Sequence, residues 1–231
     1  MSKRELVKRY FIFLIGLFIN SLGVAFITKA DLGTSPISSV PYVLSLRFSF
    51  SIGQFTMFYS LLLIFLQFVL LKKEFKPVQL LQIPVSILFG YFIDFSMDVL
   101  LSWMFPERYA EKIVFLLIGC LILGFGVFLE VVANVVMLPG EGVVRAINSK
   151  LNREFGTVKI CVDVSMCILA AVISLCLSRH ISGVREGTII SALLVGYISK
   201  MYARLLHRAV ARILPVSAKK NINLKDVVLE N

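Results

Sequence analysis

Six apolar runs, each long enough to cross a bilayer, constrain this chain more than any other feature. About 20 apolar residues carry a helix across the roughly 30 Å hydrocarbon core. Within lipid the backbone polar groups must be satisfied internally, which leaves only helices and closed barrels. The runs cover about residues 10–28, 52–71, 78–103, 112–136, 158–178 and 187–206. The expected fold is therefore an all-α polytopic membrane protein with six transmembrane helices, forming a single membrane domain over 1–231. Hydrophobic residues make up 58% of the chain and charged residues 16%, against about 45–50% and 25% in ordinary soluble domains. The amino-terminal run follows a cationic start like that of a signal peptide, yet it continues from Tyr10 to Thr28 with no small-residue cleavage site. It reads as a retained first span.

Lys72, Lys73, Lys76 and Pro77 divide the second and third runs, and Pro106, Glu107 and Arg108 divide the third and fourth. The net charge of +10 lies in short blocks between the runs. That is the pattern of the positive-inside rule, not of a nucleic-acid-binding face. With the N-terminus inside, 17 of the 24 Lys and Arg fall in inner segments and 6 in outer ones, Lys200 lying within a span. The N-terminus, the C-terminus and a polar tail over 213–231 are expected in the cytoplasm, with the chain in the cell membrane.

An offset of 103 residues aligns the two halves of the chain. Leu14, Ile15, Gly16, Ile19, Gly23 and Val24 fall on Leu117, Ile118, Gly119, Ile122, Gly126 and Val127. Ala30 falls on Ala133, Asp31 opposite Asn134, Pro36 on Pro139 and Gly53 on Gly156. Three further residues of offset bring Gly90-Tyr91 onto Gly196-Tyr197. The glycines and prolines carry more weight than the apolar matches, which arise readily between any two spans. The first repeat covers about 8–104 and the second about 111–208. Three spans per repeat is an odd number, so the second copy enters the membrane from the opposite side. Inverted repeats of this kind recur among secondary transporters, with the substrate at the repeat interface.

Each repeat carries a polar segment after its first span: Lys29–Ser45 and Val132–Lys150. Ser35-Pro36 has the form of a helix N-cap and N1 pair, with Ser38 close behind. Pro41 argues against an uninterrupted helix. Pro139, Gly140 and Gly142 would loosen the backbone at the matching point. A short broken or re-entrant helix is expected in each segment, either within the membrane or along its interface. Two readings stand for both: a binding or gating element, or a cap that holds the spans at an angle.

The stretch KADLGTSPISSVPYVLS over 29–45, with Ser51-Ile-Gly53 opening the second span, resembles the YczE/YyaS/YitT-like integral membrane proteins of bacteria. The resemblance covers most of the chain and is most specific at 29–45. It implies a multi-span protein of the cell membrane and no settled activity. YitT-type members carry a soluble C-terminal regulatory domain, which this sequence lacks, so it looks closer to the membrane-only branch.

Ionisable residues inside spans are costly and are functional candidates by default. Asp94 and Asp98 sit at i and i+4 in the third run; Asp163, Lys200 and Glu130 lie in the fifth, sixth and fourth, and Asn20 in the first. Snorkelling to a wet interface is the plainer reading for Asp98 and Lys200. The candidates for substrate binding or gating are Asp31, Ser35, Pro36, Ser38, Asn134, Pro139, Gly140, Glu141, Asp94, Asp98 and Lys200. Cys120, Cys161, Cys167 and Cys176 lie in apolar runs without a C-x-x-C pair and read as buried thiols rather than a disulfide or metal site. No catalytic or cofactor fingerprint is present, so no enzyme activity, cofactor or metal is expected. The expected function is a secondary transporter or permease of a small molecule or ion. The alternative is a non-transporting scaffold or regulator that acts through a protein partner. The expected partners are the lipid bilayer and a small solute, with no nucleic acid; the chain's size is compatible with a homodimer.

Overall fold

The structure is a computed structural model, and it describes residues 3–151, 155–179 and 182–213. The expected tail over 213–231 and His180 therefore lie outside the described residues. Eight helices are present among those described: α1 (Lys3–Lys29), α2 (Ser39–Ser45), α3 (Ile52–Leu71), α4 (Gln82–Phe95), α5 (Tyr109–Ala133), α6 (Pro139–Leu151), α7 (Phe155–Ser178) and α8 (Glu186–Ile213). Six of them, α1, α3, α4, α5, α7 and α8, are long and apolar enough to cross a membrane. In chain order, one long helix, one short helix and two long helices occur twice.

Local chemistry explains several boundaries. Ser51 opens α3 with a reciprocal cap: its Oγ accepts from the Gln54 backbone N–H, and the Gln54 side chain accepts from the Ser51 N–H. α5 ends at Ala133, three residues short of the expected limit, because Asn134 turns into the left-handed region at φ 46°. Asn tolerates that conformation better than most residues. Asp31, its equivalent at the end of α1, does the same at φ 56°. Lys72 and Arg179 close α3 and α7 with φ 47° and 56°. All four non-glycine residues of positive φ among those described thus form two pairs at matching places.

Three local expectations are corrected. Ser35-Pro36 does not cap α2; the helix begins at Ser39 after Ser38, and Ser35 donates to Ser38 Oγ at 2.9 Å. The Ser39 backbone N–H and hydroxyl both bond to the Pro36 carbonyl, and this turn displaces the start. Pro41 is the third residue of α2, where its missing N–H has no partner to lose. Pro139, Gly140 and Gly142 do not loosen the backbone; they form the first turn of α6.

α1 and α5 form the central pair, crossing antiparallel with four glycines at the seam. A Cβ on Gly23 would lie 2.5 Å from the Leu123 backbone, and one on Gly126 2.5 Å from the Asn20 nitrogen. One on Gly16 would meet Leu129 at 2.9 Å, and one on Gly119 would meet Ile27 at 2.7 Å. Small residues allow backbones to approach this closely, which is how helices associate in lipid. α4 packs on α1 and α8 on α5, while the short α2 and α6 sit between α3 and α7. Leu17, Ile27, Ile93, Leu116, Cys120 and Leu123 form the principal buried cluster. Large apolar side chains such as Phe65 (63% exposed) and Leu193 (71%) face outward, as lipid-facing positions should.

Candidate functional site

Both polar segments fold back against spans from the other part of the chain. In the first, the Leu32 carbonyl accepts from the Gly187 N–H at 2.8 Å, and the Thr34 N–H donates to Thr188 Oγ1 at 3.3 Å. Thr28 and Thr34 hydroxyls pair at 2.8 Å. In the second, the Pro139 carbonyl accepts from Gln67 Nε2 at 3.1 Å. Gln67, fully buried, also exchanges two hydrogen bonds with Gln82 at 3.0 and 3.2 Å. An amide pair satisfies both of its partners, so its burial between α3 and α4 is affordable. A Cβ on Gly142 would lie 2.5 Å from Gln67 Oε1, so a larger residue there would displace the paired amide.

The starts of the two short helices meet. A Cβ on Gly140 would touch the Ile37 side chain at 2.7 Å. Ile37 and Gly140 are themselves related by the 103-residue offset. Pro36, Ser38, Pro139 and Gly140 are therefore brought to one place, whereas Asn134 is the exposed C-cap of α5.

The central pair also buries a carboxyl. Glu130 is 6% exposed and accepts from Asn20 Nδ2 at 2.9 Å; Asn20 is 4% exposed. The glycine contacts put the α1/α5 crossing between Asn20–Gly23 and Leu123–Gly126. At 1.5 Å per residue, Glu130 starts about 8 Å from that crossing and reaches back toward it. Glu141 stands in the first turn of α6. Burial pushes its carboxyl above the ordinary range, with the Lys159 charge opposing and Asp163 adding to the rise. Lys159 and Asp163 pair with each other at 2.6 Å. Near the N-terminal end of α1 the buried Arg9 pairs with Glu5 and donates to the Ala133 carbonyl at 3.0 Å.

The remaining candidates lie elsewhere. Asp31 is at the rim, where its carboxylate pairs with Lys112 and its carbonyl accepts from Arg185. It borders a cavity of about 320 Å³ with Tyr42, Met97 and Met104. Tyr42, on α2, has its phenol pushed up by burial and by the nearby Asp31 charge. Asp94 clasps α3 to α4, accepting from Ser51 Oγ at 2.6 Å and the Gly53 N–H at 2.8 Å. Asp98, four residues on and within the π turn Ser96–Leu100, is exposed. Lys200 is exposed. The reading of isolated residues missed Gln67, Gln82 and the Asn20–Glu130 pairing. The amides in otherwise apolar runs were the available signal; their partners were not.

A family profile described as a family of unknown function (DUF6198) matches residues 7–204. The chain is 26% identical to the uncharacterized membrane protein YczE of Bacillus subtilis (strain 168) over 215 residues, covering 91% of this chain and 94% of that one. It is 27% identical to the uncharacterized protein YyaS of the same organism over 118 residues, 51% of this chain and 57% of that protein. No solved structure matches. The resemblance to YczE and YyaS is thus shown, and the six apolar helices agree with a membrane protein.

Proposed function

We propose that this chain, which belongs to the DUF6198 family, is a secondary transporter of a small solute, built from two inverted three-span repeats that meet at the Asn20–Glu130 site. The symmetry of the α1/α5 seam carries the reading. Gly16 meets Leu129 while Phe26 meets Gly119; Gly23 meets Leu123 while Asn20 meets Gly126. Each contact is the other with its partners exchanged by 103 residues. Such reciprocity is the mark of a two-fold relation. The two helices run antiparallel, so the axis lies across them. For helices that span a bilayer, an axis across them lies in the membrane plane, which supports inversion.

The crossing is about 12 Å from the C-terminal end of each helix, by 1.5 Å rise per residue. Those ends point to opposite sides, so the crossing falls near the bilayer midplane. The contact of Ile37 with Gly140 lies on the same axis, which supports re-entry of both short helices to mid-depth. Non-helical backbone at that depth is tolerated only inside protein or beside a wet cavity. Glu130, with Asn20, is better placed there than Asp94 or Asp98 to couple an ion or proton to a solute. The excess of Lys and Arg on the N-terminal side supports cytoplasmic termini in the cell membrane.

Purified protein in proteoliposomes, tested against a panel of small solutes, should give flux above empty vesicles for at least one of them. Glu130→Gln, which keeps an acceptor for Asn20, should retain the fold and lose coupled flux. No flux for any solute, together with capture of one fixed protein partner by crosslinking in cells, would overturn the proposal in favour of a scaffold.

A further inference from the structure

The packing of the two halves agrees element by element, with one exception. α1 on α4 is matched by α5 on α8, α2 on α3 by α6 on α7, and α2 on α7 by α6 on α3. α3 packs along α4, but among the described residues α7 and α8 share no comparable seam. The glycines record the same difference. A Cβ on Gly53 would lie 2.1 Å from the Gly90 carbonyl oxygen, and one on Gly90 would lie 2.6 Å from that of Gly53. Their equivalents, Gly156 and Gly196, would meet nothing within 4 Å and are exposed.

Glycine within a helix is destabilising relative to alanine. At Gly53 and Gly90 the close approach of two backbones offsets that cost. At Gly196, in the middle of α8, nothing in this conformation does. A glycine pair kept where no backbone approaches fits a contact made in another arrangement, and α3 with α4 shows the geometry of that contact.

Resting on the inverted-repeat reading above, we infer that the protein has a second access state in which α7 closes on α8 at Gly156 and Gly196 while the α3–α4 seam opens. The Asp94 clasp to Ser51 and Gly53 holds the present state. The halves are upside down relative to each other, so exchanging their conformations moves the open seam to the other face of the membrane. The α1/α5 crossing is common to both states, because its contacts are already symmetric. Alternating access then needs no new packing, only the exchange of one closed seam for its counterpart.

The test is the separation of nitroxide labels, by pulsed electron paramagnetic resonance, on the full chain in lipid nanodiscs with the native cysteines replaced. One pair sits at Thr157 and Tyr197; the equivalent pair sits at Gln54 and Tyr91. All four positions are exposed. Asp94→Ala removes both hydrogen bonds of the clasp and should raise the population with a short 157–197 and a long 54–91 separation at least about tenfold, the effect of even one charge-assisted hydrogen bond. Gly196→Leu should remove that population without lowering thermal stability, since its side chain enters open space in the present state. It also keeps the test decisive should Asp94→Ala fail to fold. A 157–197 separation unchanged by either substitution would overturn the inference. The measurement needs no solute. Seam exchange without flux would retain the second state and remove the transport reading, and flux with invariant separations would do the reverse.

Discussion

Gly23→Ala should destabilise the protein through one contact whose size can be worked out. The added Cβ would lie 2.5 Å from both the Leu123 nitrogen and its Cα, against an ordinary contact of 3.4–4 Å. Both atoms are backbone within α5, so no rotamer change relieves the clash. The helices must separate by about 1 Å, which also loosens the Gly16 and Gly119 contacts; overpacking of this kind costs about 1–3 kcal/mol. Gly126→Ala meets the Asn20 nitrogen at the same 2.5 Å and should cost the same. The double variant should cost less than the sum, because one separation accommodates both methyl groups; couplings between touching sites run about 0.5–3 kcal/mol. Gly196→Ala is the control: it meets nothing within 4 Å and should be neutral or stabilising by up to about 1 kcal/mol. Equilibrium unfolding in mixed micelles, followed by helical circular dichroism, measures all four. If Gly23→Ala and Gly126→Ala are harmless, or add without coupling, the symmetric close crossing is wrong.

Gln67→Leu should cost about 1–3 kcal/mol in the same unfolding assay, because it leaves Gln82 and the Pro139 carbonyl without a partner; adding Gln82→Leu should recover part of that loss. Glu141 gives a pH dependence. Its folded carboxyl titrates above the ordinary value, chiefly through burial. At pH below about 4.3, the unfolded value, it is protonated in both states and burial carries no charge penalty. As pH rises from there through the raised folded value, the penalty develops, so stability should fall across that interval. Glu141→Gln should flatten this part of the stability profile, and an unchanged slope would refute the assignment.

The number of spans, the short helices after the first and fourth, and the paired glycines were legible in the sequence, because each is a local pattern of hydropathy or backbone need. Asp31 and Asn134 were aligned from sequence and both take left-handed backbone. The cap of α2 was misread because the Ser35-Pro36 signature competes with bonds from Ser39 to the Pro36 carbonyl. Asp94 and Asp98 look alike in sequence, yet Asp94 bonds to Ser51 and Gly53 at the start of α3 while Asp98 is exposed, a difference set by where α3 lies. The partners of Glu130 and Gln67 depend on how spans distant in sequence come together, which no local pattern specifies. The unequal seams of α3–α4 and α7–α8 were equally invisible, since both glycine pairs look alike as letters.

Arg47 and Lys150 are equivalent under the 103-residue offset and both are exposed, beyond the end of α2 and near the end of α6. Single cysteines at these places in a cysteine-free chain, probed in intact cells with a membrane-impermeant thiol reagent, report which side each occupies. The account predicts that Arg47→Cys reacts from outside and that Lys150→Cys reacts only after the membrane is opened. Labelling of both from the same side would contradict the inverted halves, and the transport reading with them.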